Sequence, residues 1–376
     1  MKIQIERIEF LKRLKVVEKT ITENKIKPII SCAYIETRGD NLFFCGTNLE
    51  TTITTEMKCK EVIESGKIVF QHQLVEEYLK ELKDEFVVFS EIDGNLVIES
   101  SDSSSEFSLM NVEDFPKILV DEDFSQKEEI FKINSIELAE ILEKVKYAAS
   151  SSSDNLSINC VRMENENKKL KFITTDTYRL VYLEKEIEKI NENIDVSIPL
   201  NTVEALTKLL RSIESTDISF YFINRQIFFK MEEVLVISRI IDMSFPNYKG
   251  ILGNNSYNKK LTINAEVFLK MLKRITIFVR NNNETKYGAT FYLEKKEMQV
   301  HGVNEVGKIN EVLEVNYEGE NIKIALNTKF LSDFVQTLNK NKDITLEFIA
   351  SNSSVKIKEE EANNYLYVLM PLALKD

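Results

Sequence analysis

Apolar and polar residues alternate over short runs along this chain, and some runs pass directly into segments whose apolar residues recur every three or four positions. One such junction runs from Ile5 to Leu11, a second from Ile133 to Leu138 and a third from Ile263 to Leu269, at steps of 128 and 130 residues. Another junction, a strand followed by a polar triplet and a helix, spans Val69 to Val75, Ser197 to Val203 and Ala325 to Leu331, both steps being 128 residues. Phe115-Pro116 returns as Phe245-Pro246, and Met370-Pro371 sits near the place a third copy demands. Two patterns in register across three copies predict three repeated domains, at 1–120, 128–250 and 258–376. They point to a ring or array rather than a single catalytic pocket.

In the first copy Phe10, Leu14, Val17 and Ile21 recur at spacings of four, three and four, the pattern of a helix with one buried face. Lys12, Lys15 and Lys19 fall on its other side. The segment from Ala265 repeats the design, with Phe268, Met271, Leu272, Ile275 and Val279 as the stripe and Lys270, Lys273 and Arg274 behind it. Runs such as Glu85 to Phe89, Asn95 to Glu99, Ile218 to Phe222 and Thr345 to Ile349 alternate with period two and read as half-buried antiparallel strands. Gly39-Asp40 and Asp93-Gly94 mark hairpin turns between strands. Each repeat therefore offers about two helices among several strands, an α+β unit with its helices on one side of a sheet.

The composition is 43% hydrophobic and 29% charged over 376 residues, enough to bury a sizeable core. The 49 basic and 61 acidic side chains leave a net charge of minus 12, which by itself opposes a nucleic-acid partner. The distribution reverses that inference. From Arg7 to Lys19 five basic residues stand against Glu9 and Glu18, and from Ala265 to Arg280 four stand against Glu266, so positive charge is concentrated on two helices at equivalent repeat positions. The opening residues lack the apolar stretch of a signal peptide, and no 18-residue apolar run exists, so a soluble, cytoplasmic protein is expected. Cys32, Cys45, Cys59 and Cys160 show no zinc-site spacing and read as free structural thiols; no metal and no cofactor is expected.

Catalytic motifs fail one by one. Gly302 to Lys308 fits the first seven positions of a phosphate-binding loop, but Ile309 stands where Ser or Thr must ligate magnesium, and a strand-like run follows. His72 and His301 are the only histidines, with no metal-protease spacing. Asp176 beside Thr174 and Thr175 is the sole candidate for a hydrolase, without base, metal set or nucleophile around it. A third class, a repeat scaffold binding only proteins, is opposed by the basic stripes.

The residues together resemble the bacterial DNA polymerase III beta subunit family, the replicative sliding clamps, from end to end. Lys27-Pro28-Ile29-Ile30, Gly46-Thr47-Asn48-Leu49-Glu50, Phe107-Ser108-Leu109 and Asp114-Phe115-Pro116 match the family pattern in order. Thr174 to Leu180 is similar to its Ala-Thr-Asp-Gly-His-Arg-Leu segment, and Phe245 to Tyr248, Lys286-Tyr287-Gly288 and Tyr367 to Leu372 complete the series. The resemblance implies a non-catalytic ring of two three-domain chains joined head to tail, helices inside and antiparallel sheets outside, that encircles duplex DNA without regard to sequence. It implies DNA contacts at Lys12, Lys15, Lys19, Lys25, Lys27, Lys270, Lys273 and Arg274. Positions near Asn24 often carry arginine in the family, so contact passes there to Lys25 or Lys27.

The same resemblance implies a pocket for a linear motif of the Gln-x-x-Leu-Phe type, carried by the replicative polymerase, the clamp loader and repair factors. Its positions here are Ile158, Thr175, Thr177, Tyr178, Arg179, Leu180, Pro246, Ile251, Val368 and Met370. Thr177 and Tyr178 replace the usual small residue and histidine, which makes the rim bulkier. The implied dimer contact sets Leu74, Tyr78, Leu82, Phe107 and Leu109 against Phe278 and Val279 of a second copy. Ser104, Ser105 and Glu106 replace the basic residues usual before Phe107, removing the expected salt bridges.

Overall fold

The computed structural model describes residues 1–117, 124, 127–253, 256–282, 285–360 and 362–373. All six junctions predicted from the pattern are strands running into helices. Strand Lys2–Glu6 enters α1 (Arg7–Val17), Lys67–Phe70 precedes α2 (His72–Glu81), Phe131–Asn134 enters α3 (Ser135–Lys146) and Asp195–Pro199 enters α4 (Leu200–Leu210). After the short α5 (Tyr248–Leu252), Lys259–Asn264 enters α6 (Ala265–Val279) and Ile322–Asn327 enters α7 (Thr328–Val335). Polar residues at these junctions have a physical task. Asn264 Oδ1 accepts from the amides of Glu266 and Val267, and Asn327 Oδ1 from that of Phe330, so each satisfies helix-end donors that have no intrahelical partner.

Two compact units make up the chain: Met1–Glu140 with Ile187–Asn193 and Asn201–Ile240, and Ile141–Glu186 with Ile194–Leu200 and Ile241–Asp376. The middle repeat is thus divided between them. In the first unit thirteen strands form one antiparallel sheet, in which Val234–Arg239 joins Thr51–Lys58 with Val234 opposite Thr55 and Ser238 opposite Thr51. A buried hydroxyl chain reinforces this seam, Thr51 to Thr202 at 2.6 Å and Thr202 to Ser238 at 2.7 Å. α1 packs on Asn41–Thr47 and Thr51–Lys58, where Phe10 meets Phe44 at 5.1 Å and Phe89 at 4.9 Å between ring centroids. Gly46 permits that approach, because a Cβ there would lie 2.5 Å from the Val17 carbonyl oxygen.

The apolar stripe read from sequence runs to Ile21, yet α1 stops at Val17. The Thr20 hydroxyl and amide both turn back to the Val17 carbonyl, at 3.0 and 3.2 Å, closing a tight turn that still buries Ile21. The second unit holds a nine-stranded and a four-stranded sheet. In the larger one Arg179–Glu186 pairs with Tyr365–Leu369, Leu180 lying opposite Val368, so segments distant in sequence share one sheet. α6 packs on Glu297–Asn304 and on α7.

The alternating runs are strands, at Phe86–Ile92, Asn95–Glu99, Asp217–Ile223 and Asp343–Phe348. Asp93 and Gly94, with φ of 50° and 79°, form the left-handed two-residue turn that matches strand twist. Residues 302–308, the failed phosphate loop, belong to the hairpin of Glu297–Asn304 with Gly307–Glu314. All four cysteines are buried and free.

Candidate functional site

Strand Lys169–Thr175 reverses through Asp176, Thr177 and Tyr178 into Arg179–Glu186, and this turn carries the middle of the candidate peptide pocket. The turn is built by its own side chains. Asp176 Oδ1 accepts from the amides of Tyr178 and Arg179 at 3.0 Å each, its Oδ2 from Arg179 Nε at 2.8 Å, and Thr175 Oγ1 donates to the Arg179 carbonyl at 2.7 Å. The Asp176 carboxylate is thereby engaged by the turn itself. Thr177 takes a φ of 76°, the left-handed region that side chains with a branched Cβ resist. The Met370 amide donates to the Tyr178 carbonyl at 2.8 Å, so the C-terminal strand extends onto the turn.

Beneath the turn Ile173, Leu180, Tyr248 and Val368 form a buried floor, with Tyr182, Phe245 and Leu252 packed against it. Above it Tyr178, Met370 and Ile251 stand 64%, 44% and 42% exposed. Thr177 is exposed and Pro246 half-buried, its carbonyl accepting from Tyr248 N at 2.8 Å. Ile158 and Thr175 are buried. Nine of the ten candidate positions therefore separate into an exposed or half-buried rim and a floor that belongs to the core, which Leu180 and Val368 join. Tyr248, Phe245 and Tyr182 were not assigned to the pocket from sequence. Phe245 belongs to the repeated Phe-Pro motif and Tyr248 to the Phe245 to Tyr248 segment of the family resemblance, and those were the available signals.

Arg179 belongs to neither group. It is 9% exposed, donates to Asp333 on α7 at 2.8 Å and to the Tyr147 carbonyl at 2.6 Å, and its guanidinium carbon lies 4.1 Å from the Phe330 ring centroid. Its fork is engaged inside the protein, bonded to Asp176, Asp333 and the Tyr147 carbonyl. Around it burial raises the Tyr147 and Tyr367 phenols well above their ordinary range and pushes Tyr365 up to about 12.

The basic residues divide in the same way. Lys12 and Lys270, and likewise Lys15 and Lys273, are 258 positions apart, the offset that separates Ile5 from Ile263. Lys12 pairs with Glu9 at 3.3 Å, Lys19 with Glu18 at 2.9 Å and Lys270 with Glu266 at 2.8 Å. Arg274 forms a two-pronged pair with Glu311, at 2.6 and 2.7 Å, whose hydrogen bonds hold the Glu311 carboxyl below its ordinary range. Lys15, Lys25, Lys27 and Lys273 are exposed and make no ion pair among the described residues. Asn24 organises the loop that carries two of them, its Oδ1 accepting from the amides of Ile26 and Lys27 at 3.0 and 2.8 Å. In the first unit α1 borders a cleft of about 630 Å3 whose opposite wall includes Ser212 to Thr216 and Met231 to Val234.

Leu74 on α2 is 55% exposed, and Tyr78, Leu82, Phe107 and Leu109 are half-buried, with the Tyr78 and Phe107 rings 5.6 Å apart. Phe278 is half-buried. Val279 is not available to a partner: it is fully buried, and a Cβ on Gly302 would lie 2.7 Å from its Cγ1. The helical register that puts Val279 in the core leaves Ile277 outside, 60% exposed.

Models of the N-terminal, central and C-terminal domains of the DNA polymerase III beta subunit match residues 1–119, 132–247 and 253–373. The "Beta sliding clamp" of Mycoplasma capricolum is 27% identical over 387 residues, covering all of both chains, and that of Proteus mirabilis is 23% identical over 376 residues with the same coverage. Among solved structures, the DNA polymerase III beta subunit of Thermotoga maritima superposes over the whole of both chains with a TM-score of 0.90 at 23% identity. That of Pseudomonas aeruginosa covers 99% of this chain and all of its own at 0.90 and 21%.

Proposed function

The chain belongs to the DNA polymerase III beta subunit family, and on that premise we propose that it is a sliding clamp, a non-catalytic ring of two copies that encircles duplex DNA and tethers the replicative polymerase. The observation that carries the reading is the placement of Lys15 and Lys273. On a chain of net charge minus 12, these exposed and unpaired lysines occupy matched positions on the first helices of the first and third repeats. Phosphate contacts of this kind carry no direct sequence information, which is what a ring that slides requires. Lys25 and Lys27 add to them from the Asn24 loop. Lys12, Lys19, Lys270 and Arg274 contribute less, because a phosphate must first displace a carboxylate from each.

Ring closure is supported by two strand edges. Among the described residues, Ser104 to Ser108 pair on one side only, with Asn95–Glu99, and Gly307–Glu314 is the outer strand of the four-stranded sheet. Unpaired edges of this kind are templates for another chain, and the partly exposed patch at Leu74, Tyr78 and Phe107 lies beside the first as Ile277 and Phe278 lie near the second. A heterologous contact between the first domain of one copy and the third of another closes after two copies. Partner proteins, the polymerase, clamp loader and repair factors, dock through the rim at Tyr178, Ile251 and Met370 in the cytoplasm. The domain limits 1–120, 128–250 and 258–376 describe the repeats of this ring.

Topology tests the reading directly. Once loaded, the protein is expected to stay on nicked circular DNA through gel filtration and to leave when the circle is cut. Equal retention on circular and linear DNA would show attachment by surface contacts and refute encirclement.

A further inference from the structure

We propose that Asp333 on α7 is a positioning residue for the peptide pocket, holding the Asp176 to Arg179 turn in its binding conformation through the Arg179 guanidinium. The inference rests on the pocket reading above. The turn needs outside support, since Thr177 sits in a left-handed conformation unfavourable for a branched side chain. That support converges on one group. Arg179 Nε holds Asp176, Nη1 holds Asp333 at 2.8 Å and Nη2 holds the Tyr147 carbonyl at 2.6 Å, while Phe330, one turn before Asp333, stacks under the plane.

Two of the three exposed rim anchors depend on this turn. Tyr178 is part of it, and the Met370 amide is bonded to the Tyr178 carbonyl. Asp333 is 20% exposed at its side chain and also accepts from Lys329 Nζ at 3.0 and 3.1 Å, so its carboxylate is held from the solvent side as well. Removing it leaves a buried guanidinium nitrogen without its acceptor, and the fork is then free to swing from Asp176 toward water. The turn would populate its binding conformation for a fraction of the time only. Apparent affinity falls by that fraction, and the loss appears in association, because a bound peptide itself holds the turn in place.

The test measures binding of a fluorescent peptide carrying a Gln-x-x-Leu-Phe motif to the full-length protein by stopped flow, with hydrogen exchange at the Tyr178 and Arg179 amides. Asp333→Ala is expected to slow association about tenfold with dissociation within about twofold, and to speed exchange at both amides. Asp333→Asn keeps an acceptor and should recover most of the rate. Should the alanine variant not fold, Asp333→Glu, which displaces the carboxylate by one methylene, must show the same association loss. Unchanged association, or a loss confined to dissociation, overturns the proposal while the pocket stands. A parent protein that does not bind the peptide overturns the pocket reading and this inference together.

Discussion

Replacing Thr177 by glycine should stabilise the protein, an unusual direction for a change at a binding turn. Thr177 has a φ of 76°, and holding an ordinary residue in the left-handed region costs roughly 1–2 kcal/mol. The Thr177 amide donates to Thr175 Oγ1 at 3.1 Å, a backbone bond that glycine retains, and its exposed side chain has little packing to lose. Against the relief stands the greater freedom of glycine in the unfolded chain, about 0.4–1 kcal/mol. The net gain is therefore about 1 kcal/mol, or about 2 °C in the midpoint of a domain of this size. Thermal and urea unfolding, followed by circular dichroism on Thr177→Gly and on Thr177→Ala as a control that keeps the Cβ, measure it. A glycine variant that melts at or below both the parent and the alanine variant would refute the claim that this turn is strained.

Charge reversal at Lys15 and Lys273 should weaken retention on circular DNA more than the same reversal at Lys12 and Lys270, whose charges are already paired, and the difference should shrink as salt rises. Equal losses from both pairs would contradict the division. Ile277→Asp with Phe278→Ala should give monomers in sedimentation while Val279→Ala, a core truncation, lowers the melting temperature by removing buried methyl groups. A dimer surviving the first pair would place the interface elsewhere. Stability should fall as pH climbs from about 10 to about 12: unfolded tyrosines lose their protons near 10, whereas burial holds the Tyr365 phenol neutral to about 12, so rising pH favours the unfolded chain. Tyr365→Phe should flatten that decline in a pH series of melting curves, and an unchanged slope would count against it.

The repeat architecture was legible in the sequence because strand and helix periods are local properties. Ile5, Ile133 and Ile263 each stand next to last in a strand that runs into a helix, and Asn264 and Asn327 cap their helices through bonds that span only two or three residues. The concentration of lysine at matched positions, 258 residues apart, was equally readable, since counting charge requires no coordinates. Which basic residues are paired was readable only in part: Glu9, Glu18 and Glu266 lie within four positions of Lys12, Lys19 and Lys270, whereas Glu311 reaches Arg274 across 37 positions, a distance only the fold closes.

The candidate pocket marks the same boundary. Sequence supplied its members as a set, but it could not separate Leu180 and Val368, which are core, from Tyr178 and Met370, which are open, because exposure depends on what the opposite strand covers. Nor could it exchange Val279 for Ile277, a matter of about 200° around one helix axis, decided by where Gly302 lets α6 approach its sheet. Arg179 shows the limit most clearly. Its type and place in the motif suggested a ligand contact, and only the tertiary arrangement that brings Asp333 across 154 positions made it an internal brace. Periodicity and charge are set by neighbours in the chain, whereas burial and pairing are set by neighbours in space.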